Sequence, residues 1–387
     1  MSNRLPLEGI TVLEFSQFLA APSAGLRLAD LGARVIKIER PQGGDLCRKL
    51  SFKNMFVGDD SLLFHTINRN KESFTADLKN PEDLEWVKQL ITKADIITHN
   101  FRPGVMEKIG LDYPLVKEIN PKIIYAQVTG YGKAGPWKNK PGQDLLVQAL
   151  SGLTWLSGNN DEPLPFGMSI ADIICGAHLV QGILACLYSR KLTGEGANIE
   201  VSLMESILDF QFEFLTNYYN GGGIPQKSKV NHAHSLLNAP YGIYETKDGY
   251  LAISMGNLQT FSLALDLQIL KNYEDDDAFS KRDEIKQHIA KQLLTNTFEH
   301  WKERLNTHSL WSMPVLNWKD LLMENAYQSL KIEQDLITQD GKIVKAMRGA
   351  VCMNNQTFTN NKPAPILGQH TQAIKSELLN INITEND

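Results

Sequence analysis

Apolar residues fall along the first half of the chain in short continuous runs, separated by stretches in which they recur every three or four positions. TVLEF at 11-15 and RVIKIE at 34-39 are β-rich runs, and APSAGLRLADLG between them has helical spacing, so the chain opens as a βαβ unit. Asn80 precedes Pro81 at the head of NPEDLEWVKQLITKA, the order of a helix cap followed by a proline whose missing N–H is no loss in the first turn. The short strand DIITHN comes next, and a helix near 113-119 leads into the apolar strand of PKIIYAQVTG. Short buried strands alternating with helices predict an α/β fold with a mostly parallel sheet covered on both faces.

From Asp172 to Arg190 the apolar spacing is helical, and the run stops in KLTGEG, where glycine ends a helix. ANIEVSLMES reads as a strand followed by a helix. NGGGIPQKSK, beginning at Asn220, is the expected domain connection, with Gly221 to Gly223 as hinge. Beyond it, YGIYETKDGYLAISMG predicts two strands around the turn Lys247-Asp248-Gly249, and 257-307 is largely helical. The closing stretch, with VCMNNQTFTNNKPAPILGQHTQAI, carries strand and turn signals and is expected to rejoin the first domain.

The 387 residues exceed one average core, which points to two domains or one elaborated α/β domain. With 42% hydrophobic and 21% charged residues the chain has the balance of a soluble globular protein. A net charge of -5 gives no reason to expect nucleic acid or an anionic membrane as partner. Cys47, Cys175, Cys186 and Cys352 are scattered and form no CxxC pair, so a reducing cytoplasm is the expected location and no metal site is expected. The start lacks a signal-peptide core, and IICGAHLVQGILACL is short for a membrane span and is interrupted by His178 and Gln181.

The first βα turn lacks GxGxxG, which argues against NAD or FAD, and HExxH, GxSxG, a Walker loop and an EF-hand loop are all absent. Asp172, in GMSIADIICGAHL, stands at a helix start and supports two readings. It is either half of a capping box with Ser169, or a nucleophile able to attack an activated carbonyl. Asp144, in PGQDLLVQALSG, reads as a helix cap. Arg40, Arg69, Lys71, Lys79, Arg102 and Lys133 sit near strand ends, where they form either a phosphate site or a solvated rim. His232 and His234 share a strand face, but no carboxylate or cysteine beside them completes a metal set, so packing is expected.

Taken in order, several stretches are far more specific than any one of them: LEGITVLEFSQFLAAPSAGLRLADLGARVIKIERPQGGDLCR, INRNKESFTADLK, ADIITHNFRPGVMEKIGLDY, NPKIIYAQVTGYGKAGP, PGQDLLVQALSG, GMSIADIICGAHLVQGILACLYSRKLTGEGANIEVSLMES and APYGIYETKDGYLAISMGN. The series, over roughly residues 7-256, closely resembles the class III coenzyme A transferases of the CaiB/BaiF type, which include formyl-CoA, carnitine and bile-acid CoA transferases and have 2-methylacyl-CoA racemases as relatives. The resemblance implies a Rossmann-like large domain, 1-220 plus 330-387, with an inserted smaller α+β domain at 221-329. It also implies a homodimer of interlocked chains. Acyl-CoA and small carboxylates would be the substrates, with no prosthetic group and no metal, and succinyl-CoA with a small mono- or dicarboxylate is the expected pair.

By the same resemblance Asp172 matches the catalytic aspartate, which would form acyl anhydride and aspartyl-CoA thioester intermediates. Asp144 matches an acidic position near it. Arg40 matches the arginine that reaches the nucleotide of CoA, and Leu78 and Lys79 fall in the adenosine-binding segment. Asn100, Phe101 and Arg102 match a loop that contacts CoA, while Phe18, Leu19 and Ala20 match the loop facing pantetheine and the acyl site. Two departures bear on substrate. The formyl-CoA branch has glutamine where this chain has Leu19, and a glycine-rich loop where this chain has residues 254-260, which makes oxalate less expected. The racemases carry histidine where this chain has Gln143, so transfer is expected ahead of racemisation or of non-catalytic CoA binding.

Overall fold

The computed structural model describes residues 4-159 and 161-379. Its opening is the βαβ unit that the pattern predicts: β1 (Thr11–Glu14), α1 (Ala20–Asp30) and β2 (Arg34–Glu39), with Thr11 to Glu14 in parallel register with Arg34 to Lys37. There follow α2 (Leu62–Asn68), β3 (Lys71–Thr75), α3 (Pro81–Lys93), β4 (Ile96–His99) and β5 (Ile124–Thr129). After these come α4 (Asp144–Leu150), α5 (Ile170–Thr193), β6 (Ala197–Ser202) and α6 (Leu203–Phe210).

The six strands form one parallel sheet in the order β3-β2-β1-β4-β5-β6. This is a doubly wound order: the chain works outward from β1 in one direction and then, from β4, in the other. The strands beside that reversal part at their carboxyl ends, where such sheets open to ligands. On one face Leu13, Ile36, Phe74, Ile97 and Tyr125 pack with Val87, Leu90 and Ile91 of α3. α3 starts where the Asn80-Pro81 signature places it, with Asn80 Oδ1 accepting the N–H groups of Glu82 and Asp83 at 2.8 and 3.3 Å.

α1 and α5 pack against one another, and Gly176 is what lets them approach. A Cβ there would stand 2.2 Å from Ser23 Oγ and 2.7 Å from the Ala20 carbonyl oxygen. α5 buries the stripe Ala171, Cys175, Leu179 and Ile183 and leaves Leu184, Tyr188 and Leu192 exposed. It is longer than the apolar run in the sequence suggests, and by length and composition it is sufficient to cross a membrane. β3 is an edge strand covered by the end of the chain. His370 exchanges backbone and ring hydrogen bonds with Ser73, and the Thr75 N–H donates to Thr371 Oγ1 at 3.0 Å.

The described chain divides into two compact units. The first comprises the chain up to Val147, Ser169–Phe210 and the chain from Lys331 onward; the second comprises Gln148–Met168 and Gln211–Leu330. The division therefore falls after Phe210, and the Gly221-Gly223 run lies inside the second unit. That unit has an antiparallel sheet of β7 (Gly242–Thr246), β8 (Gly249–Ile253) and β9 (Ser312–Pro314), with β8 in the centre. Tyr244, Leu251, Phe261, Ile285, Ile289 and Trp301 belong to its core.

Candidate active site

At the reversal of strand order lies a cleft of about 490 Å³, lined by residues that follow β1 to β4. Arg40, Pro41, Gln42, Gly44 and Asp45 form one wall, Asp77, Leu78 and Lys79 another, and Phe101, Val105 and Ile109 a third, with Gln17 behind. Arg40, Leu78, Lys79 and Phe101, singled out from the sequence, are thus brought together. Arg40, Lys79 and Arg102 are exposed. Arg40 Nε donates to the Gly44 carbonyl at 3.0 Å, which orients the guanidinium along the wall.

Asn100 does not line the cleft; it fixes the loop after β1. Its Oδ1 accepts the Gln17 N–H at 2.9 Å and its Nδ2 donates to the Gln17 carbonyl at 2.7 Å, so both peptide groups of Gln17 are held. The next residue, Phe18, is exposed in a left-handed conformation at φ 64°. Leu19 is the N-cap of α1 and gives its first turn no side-chain hydrogen bond, and Ala20 is buried as the first helical residue.

Beneath these loops lies a set of buried charges. Lys37 Nζ sits 3.1 Å from Glu14 Oε1, 2.7 Å from the Ser16 carbonyl and 2.9 Å from Asp45 Oδ2. Burial alone would depress Lys37, but the carboxylates of Glu14, Asp45 and Glu39 outweigh it and hold the ammonium well above the usual lysine range. Lys71 Nζ bonds both Glu14 oxygens at 2.9 Å, the Pro22 carbonyl at 2.9 Å and Asn68 Oδ1 at 3.0 Å. There burial prevails and lowers the amine to about 8. Glu39 receives the Arg48 fork at 2.8 and 2.7 Å and Ser73 Oγ at 2.6 Å. Gly44, at φ 59°, has no room for a Cβ, which would meet Glu39, Arg48 and Leu367 at 2.8 to 2.9 Å.

Asp172 lies in the first turn of α5, one turn before Gly176 and on the same helix face. Gly176 rests on Ala20 and Ser23, so α5 meets the first turns of α1 one helical turn along from Asp172. Ser169 makes no side-chain cap, so the expected capping box is not present. The cap comes from Asp144 instead. Its Oδ1 accepts the Ala171 N–H at 2.7 Å and lies 3.4 Å from the Asp172 nitrogen. Burial, and then the neighbouring Asp144 charge, push the Asp172 carboxyl up to about 7.

Other sequence candidates stand elsewhere. Arg69 and Lys71 are buried at the opposite, amino-terminal end of β3. Arg69 forks onto Asp30 and Lys71 is consumed by Glu14, so neither is free for phosphate; the reading of strand-end lysines as a rim had no way to detect these partners. Lys133 pairs with Glu200. Gln143 is exposed and meets α4 through its carbonyl, which accepts the Val147 N–H at 3.0 Å. In the second unit the His232 ring spans the Ser228 N–H and the Leu156 carbonyl, and His234 stacks on Phe214 at 4.8 Å with its Nε2 3.5 Å from Glu213 Oε2. Among the described residues no group of three or more His, Cys, Asp or Glu could hold a metal ion.

Two residues of the site were not picked out from the sequence. Asp45 follows Gly43-Gly44, a turn signal that suits it to an Asx turn. His99, directly before Asn100, is buried against Tyr125 and Phe101, and neither ring nitrogen has a partner among the described residues. Burial, aided by the Lys133 charge, lowers it to about 4, so the imidazole is neutral at physiological pH.

The profile of CoA-transferase family III matches residues 7–371. A succinate–glutarate CoA-transferase of Agrobacterium fabrum is 32% identical over 401 residues, covering 99% of this chain and 98% of that protein. An acetyl-CoA:oxalate CoA-transferase of Acetobacter aceti is 32% identical over 354 residues, covering 88% of this chain and 89% of that one. Among solved structures, a CaiB/BaiF family protein from Brucella suis superposes with a TM-score of 0.83 at 29% identity, covering 97% of this chain and all of that chain. Because the match runs without a break through the parallel sheet, the cleft and the helix that carries Asp172, the chain belongs to CoA-transferase family III and is a CoA-transferase.

Proposed function

We propose that the protein moves coenzyme A between a donor acyl-CoA and a small dicarboxylate, with Asp172 as the covalent nucleophile. The observation that carries this reading is the Asp172 carboxylate in the first turn of α5, a start capped by Asp144, largely shielded from water and one turn along from the contact with the helix that begins beside the cleft. Dicarboxylates are the acceptor class favoured by the names of the relatives, which join succinate to glutarate and acetyl-CoA to oxalate. Arg40, Lys79 and Arg102 are exposed and none has a carboxylate partner among the described residues, which suits them to the phosphates of CoA. Leu78 and Phe101 supply apolar walls.

In this scheme the ionised Asp172 attacks the thioester carbonyl, the C–S bond breaks and CoA leaves as thiolate, giving an acyl-aspartyl anhydride. The thiolate attacks the aspartyl carbonyl, forming an aspartyl-CoA thioester and releasing the donor carboxylate. The acceptor carboxylate then displaces the thiolate to form a second anhydride. The thiolate attacks the acceptor carbonyl of that anhydride, which yields the new acyl-CoA and restores the Asp172 carboxylate. Every step is an acyl substitution at one oxidation level and the cycle exchanges one thioester for another, so no redox partner is needed. Gln143 offers no imidazole for proton abstraction, and transfer is favoured over racemisation.

The reading extends to assembly. An inserted smaller domain and two interlocked chains are the arrangement that would cover the exposed Leu184, Tyr188 and Leu192 edge of α5. The chemical test is incubation with succinyl-CoA and a panel of dicarboxylates, with mass detection of the new thioester. Hydroxylamine trapping should leave a hydroxamate on Asp172, and Asp172→Asn should lose turnover by at least about a thousandfold. Full turnover by Asp172→Asn would overturn the assignment.

A further inference from the structure

Phe18 is a bulky side chain held at φ 64°, a region that residues with a Cβ avoid unless their surroundings impose it. The surroundings here are specific. Asn100 grips both peptide groups of Gln17, Lys37 Nζ donates to the Ser16 carbonyl, and the Phe18 N–H itself points at Asp45 Oδ1 at 3.3 Å. Of these, only the Asp45 contact acts on the left-handed residue directly.

Asp45 is 1% exposed and every part of it is engaged. Oδ1 also accepts the Cys47 N–H at 2.9 Å, which caps the turn Leu46–Arg48. Oδ2 lies 2.9 Å from Lys37 Nζ, an ion pair outside hydrogen-bond alignment. The backbone N–H donates to Glu39 Oε1 at 3.0 Å. The same residue closes the Arg40 to Asp45 wall of the cleft. One carboxylate thus joins the loop after β2, which carries Arg40, to the loop after β1, which ends in Leu19 and opens α1.

We propose that Asp45 is a positioning residue for CoA transfer: anchored on Lys37, its carboxylate holds the Phe18 peptide in the left-handed turn and so sets the entry of α1 relative to the Arg40 wall. The proposal rests on the reading of Asp172 as the transfer nucleophile. α1 meets α5 one turn from Asp172, so a relaxed Phe18 turn would displace the acyl end of the site while leaving the nucleotide wall in place. Loss of Asp45 should therefore act on turnover more than on CoA affinity.

The experiment is a kinetic cycle in the full-length enzyme with succinyl-CoA as donor. Asp45→Ala should lower kcat by about 30-fold while the calorimetric Kd for CoA changes by less than about threefold. In a chain that already carries Phe18→Gly, the same change should cost less than about threefold, because glycine takes positive φ without help. If Asp45→Ala does not fold, as judged by its circular-dichroism melt, Asp45→Asn takes its place; it keeps the side-chain volume and leaves Lys37 paired with Glu14. Its smaller kcat loss should also vanish beside Phe18→Gly. Equal losses with and without Phe18→Gly, or a loss confined to KM, would refute the proposal. Absence of transfer in the unsubstituted enzyme, or turnover by Asp172→Asn, would refute the functional reading instead.

Discussion

Asp172 combines two opposing requirements, since a carboxylate shielded enough to meet a thioester away from water is also reluctant to ionise. Burial first, and the Asp144 charge second, raise it to about 7, against 3.8 for the ordinary group. The unfolded chain gives up this proton at the lower value and the folded chain at the higher, so stability is lost as pH climbs between them and is level above about 7. Asp172→Asn is exempt from that loss. Its melting temperature should exceed that of the unsubstituted protein by a margin that widens through this window and then stays constant. Turnover runs the other way, with kcat/KM rising through about pH 7 as the nucleophile ionises. Asp144→Asn keeps an oxygen for the α5 cap but removes the second cause of the shift. Its acidic limb should move down by less than about one pH unit, because burial remains; a limb that does not move would show that Asp144 exerts no charge effect on the nucleophile.

At the scale of elements, the crossing of α1 and α5 is set by one missing methyl group. Gly176→Ala would press a Cβ onto the Ala20 carbonyl, which is backbone and cannot swing aside, so the helices must separate. Urea unfolding should show a loss of about 1–3 kcal/mol, accompanied by a fall in kcat as Asp172 shifts from the start of α1. A variant as stable and active as the original would show that the crossing tolerates separation. The elements themselves were largely legible. β1, α1, β2 and α3 follow from runs, spacing and the Asn80-Pro81 cap, because each signal is local. β3 was missed since KESFT has one apolar residue in five and is held as a strand by pairing with β2 and by cover from Thr371. The α5 cap was misread for a similar reason: Ser169 is near in sequence, but the oxygen that accepts the helix N–H comes from Asp144, on another helix. Arg40 and Lys79 were found as strand-end residues and Leu78 and Phe101 through the family resemblance, whereas Asp45 has meaning only through Lys37 and Phe18, which reach it from two other segments.

At the scale of the whole molecule, the α5 edge formed by Leu184, Tyr188 and Leu192 is exposed apolar surface that the proposed pairing of two chains would cover. Sedimentation equilibrium at micromolar concentration should return twice the 43.4 kDa mass of one chain; a mass of one chain would discard the interlocked pair. A different constraint follows from the chemistry. Acyl-CoA is an acylating reagent, and an enzyme that takes it as substrate is exposed to slow damage of its lysines. Burial brings the Lys71 amine to about 8, so it is partly unprotonated in mildly alkaline solution. Its burial beneath the sheet edge, with four oxygens around the nitrogen, leaves no approach for a thioester carbon. Lys37 is closed off in the same way. The interior salt network therefore does more than shape the cleft: it keeps Lys37 and Lys71 where an acylating reagent cannot reach them, and leaves Lys79, at the rim, as an amine open to it.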